Sequence, residues 1–216
     1  MKTHPTFHNL HILDHPLIQH KLTLMRKQET EPGIFRQLLR EISLLMGYEV
    51  TRQLSVQQTQ IETPLMPMQA PQISDPEMVV VPILRAGLGM SEGLVQLIPT
   101  ARQGHIGLYR KADTKKPVEY LVKLPDANDH VFILVDPMLA TGNTACYALD
   151  TLIKHGVART KILFMALVAA PEGIANISQN YGDVPIYLAS LDQGLDKNSY
   201  VIPGIGDVGD RLFGTL

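Results

Sequence analysis

The chain has 216 residues, 45% of them hydrophobic and 19% charged, which suits one soluble globular domain with a sizeable core. A formal net charge of −2 gives no general reason to expect a nucleic-acid partner, and a lone cysteine, Cys146, excludes an intrachain disulfide or a multi-cysteine metal site. No stretch approaches the roughly 18 unbroken apolar residues of a membrane span, and the opening residues lack a signal-peptide core, so cytoplasm is the expected location.

Five histidines fall near the start: His4, His8, His11, His15 and His20. Four of them would stripe one helix face, which invites a metal reading. Pro5 and Pro16 argue against one continuous helix, and an exposed arm is the expectation. Gly33 to Tyr48 then has amphipathic spacing, with Ile34, Phe35, Leu38, Leu39, Ile42, Leu45 and Met46 towards a core. Residues Thr63 to Pro76 include Pro64, Pro67, Pro71 and Pro76 among polar residues and methionines. They read as an irregular connection or a projecting hairpin, not as a domain boundary.

Val79 to Leu84, VVVPIL, is a buried strand by its β-branched run. Arg85 follows at once, beside Gly87 and Gly89. A guanidinium at a strand end suits bidentate contact with a diphosphate. His105 to Arg110 reads as a strand, residues 111–117 as a charged turn, and Val118 to Leu124 as a returning extended segment. The loop is a solvated hairpin tip by composition.

Val131 to Val135 is the next buried strand, closed by Asp136 and Pro137. Met138, Leu139, Ala140, Thr141, Gly142, Asn143 and Thr144 follow, small and hydroxyl-rich at the end. Helical spacing starts at Ala145, with Ala148, Leu149, Leu152 and Ile153. A helix start is an anion site, because its first N–H groups lack intrahelical partners and carry the positive end of the dipole. Gly142 lets backbone approach a phosphate, and threonine hydroxyls add donors. An acid beside such a cradle suits a hydroxylated group, such as a ribose. Cys146 reads as a small core residue.

Gly156 should end that helix. Lys161 to Val168 is a strand, Ala170 to about Tyr181 a helix, and Val184 to Ala189 a further strand. This alternation predicts an α/β fold, a mostly parallel sheet with helices on both faces. Ligands of such sheets sit outside the carboxyl ends of the strands, the rim to which Arg85, Arg110 and Asp136 belong. The tail, 191–216, is too glycine-rich for a long helix and too long for a neutral loop, so a functional role is expected. Gly204-Ile205-Gly206-Asp207-Val208-Gly209 matches a dinucleotide fingerprint only literally, since too little chain follows for a βαβ unit. Gly87-Leu88-Gly89 has Glu92 where the third glycine would stand.

Three stretches carry a family resemblance: PILRAGLGM around Arg85, VDPMLATGNT around Asp136, and YVIPGIGDVGD from Tyr200. With HPLIQHKLTLMRKQET near the start, they resemble the uracil phosphoribosyltransferases over nearly the whole chain. The resemblance implies the type I phosphoribosyltransferase fold in one domain, 1–216. Its parts are an N-terminal helical arm (1–50), an α/β core (79–190) and an irregular C-terminal base-binding segment (191–216). It implies transfer of phosphoribose from 5-phosphoribosyl-1-pyrophosphate (PRPP) to uracil in pyrimidine salvage. PRPP would meet Arg85, Arg110, the 136–144 stretch and Asp207, with Lys111 a weaker diphosphate contact and residues 111–117 a mobile flap. Uracil would meet Val201, Gly206, Asp207 and Val208, inside an apolar wall of Tyr200, Ile202 and Pro203. Mg²⁺ would be held mainly by PRPP, near Asp207, with no direct protein ligand assigned. The family also implies a homodimer or larger homo-oligomer, and GTP as an allosteric ligand in some bacterial members. Pro137 stands where related enzymes carry a second acid, and the uracil enzymes share that change. A regulatory RNA-binding protein on the same fold would need a basic face. An orotate enzyme would need an extra cation in the base pocket, and the tail offers none before Arg211.

Overall fold

The structure is a computed structural model, and it describes residues 2–74, 77–110 and 117–215. The start of the chain is not the exposed arm its histidines suggest. β1 (Lys2–Thr3) pairs antiparallel with β2 (Leu10–Ile12), and β2 runs parallel to a late strand, Leu10 opposite Ile186 and Ile12 opposite Leu188. Leu10 and Leu13 are buried, so apolar residues between the histidines decide the placement by covering a sheet edge. The histidines serve singly. His11 stacks on Tyr187 with ring centroids 5.0 Å apart, and burial lowers its pKa. His15 caps α1 (Pro16–Arg26), its Nδ1 accepting from the Leu17 N–H at 3.2 Å.

α1 buries Ile18, Leu22 and Met25, at helical spacing. α2 (Pro32–Val50) starts with proline in its first turn, where no N–H is missed. It buries Phe35, Leu38, Leu39, Ile42 and Met46. Ile34, expected in that core, is 52% exposed, and Leu45 is only partly buried. Each step along a helix turns about 100°, which carries Ile34 off the face that Phe35 centres. β3 (Val56–Glu62) and β4 (Pro67–Ile73) form a separate antiparallel hairpin, so the proline-rich stretch is its tip and returning strand.

The remaining elements in chain order are β5 (Met78–Leu84), α3 (Leu88–Leu97), β6 (Arg102–Gln103), β7 (His105–Arg110), β8 (Pro117–Lys123) and β9 (Val131–Val135). After these come β10 (Met138–Leu139), α4 (Asn143–Lys154), β11 (Ile162–Ala169), α5 (Pro171–Asn180), β12 (Ile186–Leu191), β13 (Gly194–Leu195), β14 (Val201–Ile202) and α6 (Val208–Phe213). The main sheet has the order β1-β2-β12-β11-β9-β5-β7-β8, and the paired strands from β2 to β7 are parallel. β7 and β8 pair antiparallel. Period-two alternation splits the sheet's side chains between two cores. Val80, Ile133, Val135, Met165 and Leu167 pack with α1, α2 and α3; Val79, Val81, Phe132, Leu134 and Phe164 pack with α4 and α5.

β5 and β9 are neighbours, yet the chain leaves them in opposite directions. From β5 it passes through α3 to β7, and from β9 through α4 to β11. The two helices lie on opposite faces of the sheet, which leaves a crevice where the strand order diverges.

Candidate active site

A cleft of about 630 Å³ opens at that crevice. The β5 side supplies Arg85 and Ala86, and β7 supplies Leu108 and Tyr109. The β9 side supplies Asp136, Met138, Ala140, Thr141, Asn143 and Thr144, while Tyr200, Val201, Gly206, Asp207 and Val208 line it from the tail. The expected sequence stretches therefore meet around one cavity.

The stretch after β9 is held by alternate residues. The Pro137 carbonyl accepts from the Leu167 and Val168 N–H groups at 3.1 and 3.0 Å, and the Leu139 carbonyl accepts from the Ala170 N–H at 2.9 Å. Leu139 is itself buried. Pro137, Leu139 and Gly142, named with their neighbours as ligand contacts, thus lie outside the lining and anchor it instead. Gly142 precedes α4 with φ +83°, and a Cβ there would stand 2.9 Å from the Gly173 carbonyl oxygen. Only glycine suits that left-handed turn against α5. Asn176 of α5 braces the loop, donating from Nδ2 to the Thr141 carbonyl at 3.0 Å and to Asn143 Oδ1 at 3.1 Å. Asn143 and Thr144 then bring the α4 N-terminus, with its unpartnered class of N–H groups, to the cleft.

Arg85 makes a cation–π contact with α6, its guanidinium carbon 5.4 Å from the Phe213 ring centroid. Arg110 ends β7 on the same rim, but its side chain lies outside the described residues. Lys111 and residues 112–116 of the expected flap also fall outside them. Cys146 is half-buried, and burial followed by the Asp150 charge pushes its thiol up to about 11, far from a nucleophile's range.

In the tail, Asp196 Oδ1 accepts from the Asn198 and Tyr200 N–H groups at 2.9 and 2.8 Å. That turn presents Asn198 and Ser199 to the cleft, two lining residues absent from the sequence expectations. Val201 is buried and lines the cavity, but Ile202 and Pro203, expected in the same wall, are exposed and outside it. Strand alternation explains the correction: if Val201 faces in, Ile202 faces out. Asp207 caps α6, its Oδ1 accepting from the Asp210 N–H at 3.0 Å.

The most buried charge in this region, Asp192, was also missed. Arg26 of α1 meets it with both terminal nitrogens, at 2.8 and 2.7 Å, across 166 positions of sequence. Burial pushes the Asp192 carboxyl up, but Arg26, the Ser190 hydroxyl and the Gly204 N–H outweigh it and hold the pKa below its ordinary value.

The cleft gathers a helix N-terminus, two carboxylates, a guanidinium and glycine-rich backbone. At the diverging point of a parallel sheet, these features make an anion-binding cleft of the doubly wound α/β class. The comparisons narrow the class. The family model described as uracil phosphoribosyltransferase matches residues 12–215, and the chain belongs to that family. A relative from Rhodospirillum centenum named uracil phosphoribosyltransferase is 60% identical over 215 residues, covering 100% of both chains. Relatives of the same name from Ralstonia pickettii and Burkholderia thailandensis are 59% and 57% identical, each covering 100% of this chain and 99% of its own length. A solved structure, the AQ2163 protein from Aquifex aeolicus, superposes with a TM-score of 0.90 at 34% identity, covering 94% of this chain and 97% of its own.

Proposed function

We propose that the protein converts uracil and PRPP to uridine monophosphate and diphosphate, a salvage reaction. Uracil N1 bonds to the ribose C1 as the bond from C1 to the diphosphate oxygen breaks; the N1 proton goes to solvent and the electron pair leaves on diphosphate. The observation that carries this reading is the single cleft shared by the α4 N-terminus, Asp136 and the 201–208 segment. In it, the Ala140 to Thr144 turn binds the 5′-phosphate and Asp136 accepts from the ribose hydroxyls. Arg85 neutralises the departing diphosphate, with Arg110 in the same role on the rim. Backbone at Val201 and Gly206 to Val208 reads the base, with Tyr200 alongside. No side-chain nucleophile is needed, and positioning with electrostatics supplies the rate.

Asp136 and Asp207 are two carboxylates on one cleft, and among the described residues no cluster of three or more His, Cys, Asp or Glu could hold a metal ion. Mg²⁺ commonly takes one or two carboxylates plus substrate phosphates, so these residues fit a cation that arrives on PRPP. Bound there, Mg²⁺ would offset the diphosphate charge and orient it.

Selectivity against orotate follows from Arg211. Its guanidinium is drawn to the carbonyls of Met25, Lys27 and Ile205 at 2.8, 2.6 and 2.9 Å, and it does not line the cleft. A homo-oligomer in the cytoplasm completes the reading, supported by the apolar exposed hairpin β3–β4 and by a free cysteine in a chain that can form no internal disulfide. PRPP consumption should be followed with uracil, cytosine, orotate and hypoxanthine, each with and without GTP. The expected product is uridine monophosphate from uracil, raised by GTP if this member shares the allosteric trait. A higher kcat/KM with any other base would refute the assignment.

A further inference from the structure

We infer that Arg26, Asp192 and Arg211 are positioning residues for base recognition: together they fix the backbone of residues 204 and 205 and so aim the turn at 206–208 into the cleft. The inference rests on the reading that this turn meets the base. None of the three residues lines the cleft.

The hydrogen bonds converge on the backbone of two consecutive residues. Arg26 Nη1 donates to the Gly204 carbonyl at 2.7 Å, and Asp192 Oδ2 accepts from the Gly204 N–H at 2.9 Å. One ion pair therefore holds both polar backbone groups of Gly204. Ser190 closes the ring, accepting from Arg26 Nη2 at 3.0 Å and donating to Asp192 Oδ1 at 2.7 Å. The next carbonyl, Ile205, is taken by Arg211, whose other bonds go to the carbonyls on either side of Arg26. Arg211 also lies 4.4 Å above the Phe35 ring of α2. Two guanidinium groups thus stitch the end of α1 to residues 204 and 205.

The placement matters because these residues sit between the two proposed base contacts, Val201 and Gly206 to Val208. Gly204 has φ +62°, and a Cβ there would lie 2.1 Å from the Val201 carbonyl oxygen. The turn is folded onto Val201, so a shift at 204 moves both contacts. Asp192 has a side chain only 3% exposed, which makes the clamp rigid rather than a screened surface pair. Lysine cannot reproduce the forked geometry at either arginine.

Arg26→Lys and Arg211→Lys test the inference by separate measurement of uracil KM, PRPP KM and PRPP binding by calorimetry. Small misplacements near a reacting centre cost up to about 10²-fold, so uracil KM should rise at least about 10-fold in each variant. PRPP binding should stay within about twofold. Parallel changes in both substrates, or no change in either for folded variants, would overturn the role. If Arg26→Lys does not fold, the double variant Arg26→Met with Asp192→Leu leaves no buried charge unpaired and is judged by the same split. Gly206→Val is the reference. Loss of uracil use there, with unchanged uracil KM in the arginine variants, rejects positioning alone. Wild-type uracil KM in Gly206→Val rejects the base site itself.

Discussion

At the residue scale, the site divides into local and distant contributions. Asp136 and the loop to Thr144 were legible because one short segment carries strand, acid, turn and helix start. Asp136→Asn keeps the shape but removes the charge that would strengthen the proposed bonds to ribose hydroxyls. The expected result is a large loss of turnover with the circular dichroism spectrum unchanged; wild-type kinetics would contradict the role. Arg85→Ala should lose on the order of 10²–10³ in kcat, by analogy with removing one preorganised donor. The Arg26–Asp192 pair was not legible, because no local pattern links residues so far apart. It predicts a pH effect. A carboxyl whose folded pKa is depressed adds stability that is fully present above its unfolded value of about 3.9 and is lost as pH falls through the folded value. Melting curves below about pH 4 should therefore show a smaller acid loss for Asp192→Asn than for the wild type. An identical acid slope would show that this carboxyl is not a contributor.

At the scale of elements, strands with continuous apolar runs, such as Val131–Val135, were readable because both faces of a parallel strand are buried. The order of strands was not, since it depends on which helix covers which face. The strand Leu10–Ile12 was hidden by its histidine-rich surroundings, and only its partner β12 makes the apolar residues decisive. The contact of α2 with α3 also depends on a residue with no pattern of its own. A Cβ on Gly93 of α3 would lie 2.3 Å from the Arg40 carbonyl oxygen and 3.0 Å from the Ser43 Cβ of α2. Gly93→Ala forces the two helices apart, and overpacking of this kind costs about 1–3 kcal/mol. Denaturant titration should show the midpoint falling with an unchanged slope; an unchanged midpoint would mean the helices separate freely.

At the scale of the whole molecule, the hairpin β3–β4 stands apart from the main sheet and presents apolar side chains. Leu65 is 94% exposed, Met66 64% and Val56 62%. Such a patch on a projecting arm fits a second copy of the chain. Sedimentation should give a dimer or larger assembly for the wild type and a smaller species for Leu65→Asp with Met66→Asp; equal sedimentation would remove the hairpin from the interface. In the proposed reaction one cleft divides its work, with PRPP on the 136–144 side and uracil on the 201–208 side. Gly206 has φ +74°, so a branched side chain there distorts the turn at 206–208, where a Cβ would meet only Arg211 within 4 Å. The most direct test measures PRPP binding by calorimetry and uridine monophosphate formation for Gly206→Val beside the wild type, with cytosine as the competing base. The wild type should reject cytosine strongly, by up to roughly 10⁴–10⁵ where a site is built on buried hydrogen bonds. The variant should keep its PRPP affinity and lose uridine monophosphate formation. A variant that makes uridine monophosphate at the wild-type rate, or a wild type that turns over cytosine efficiently, would place the base outside the 201–208 segment.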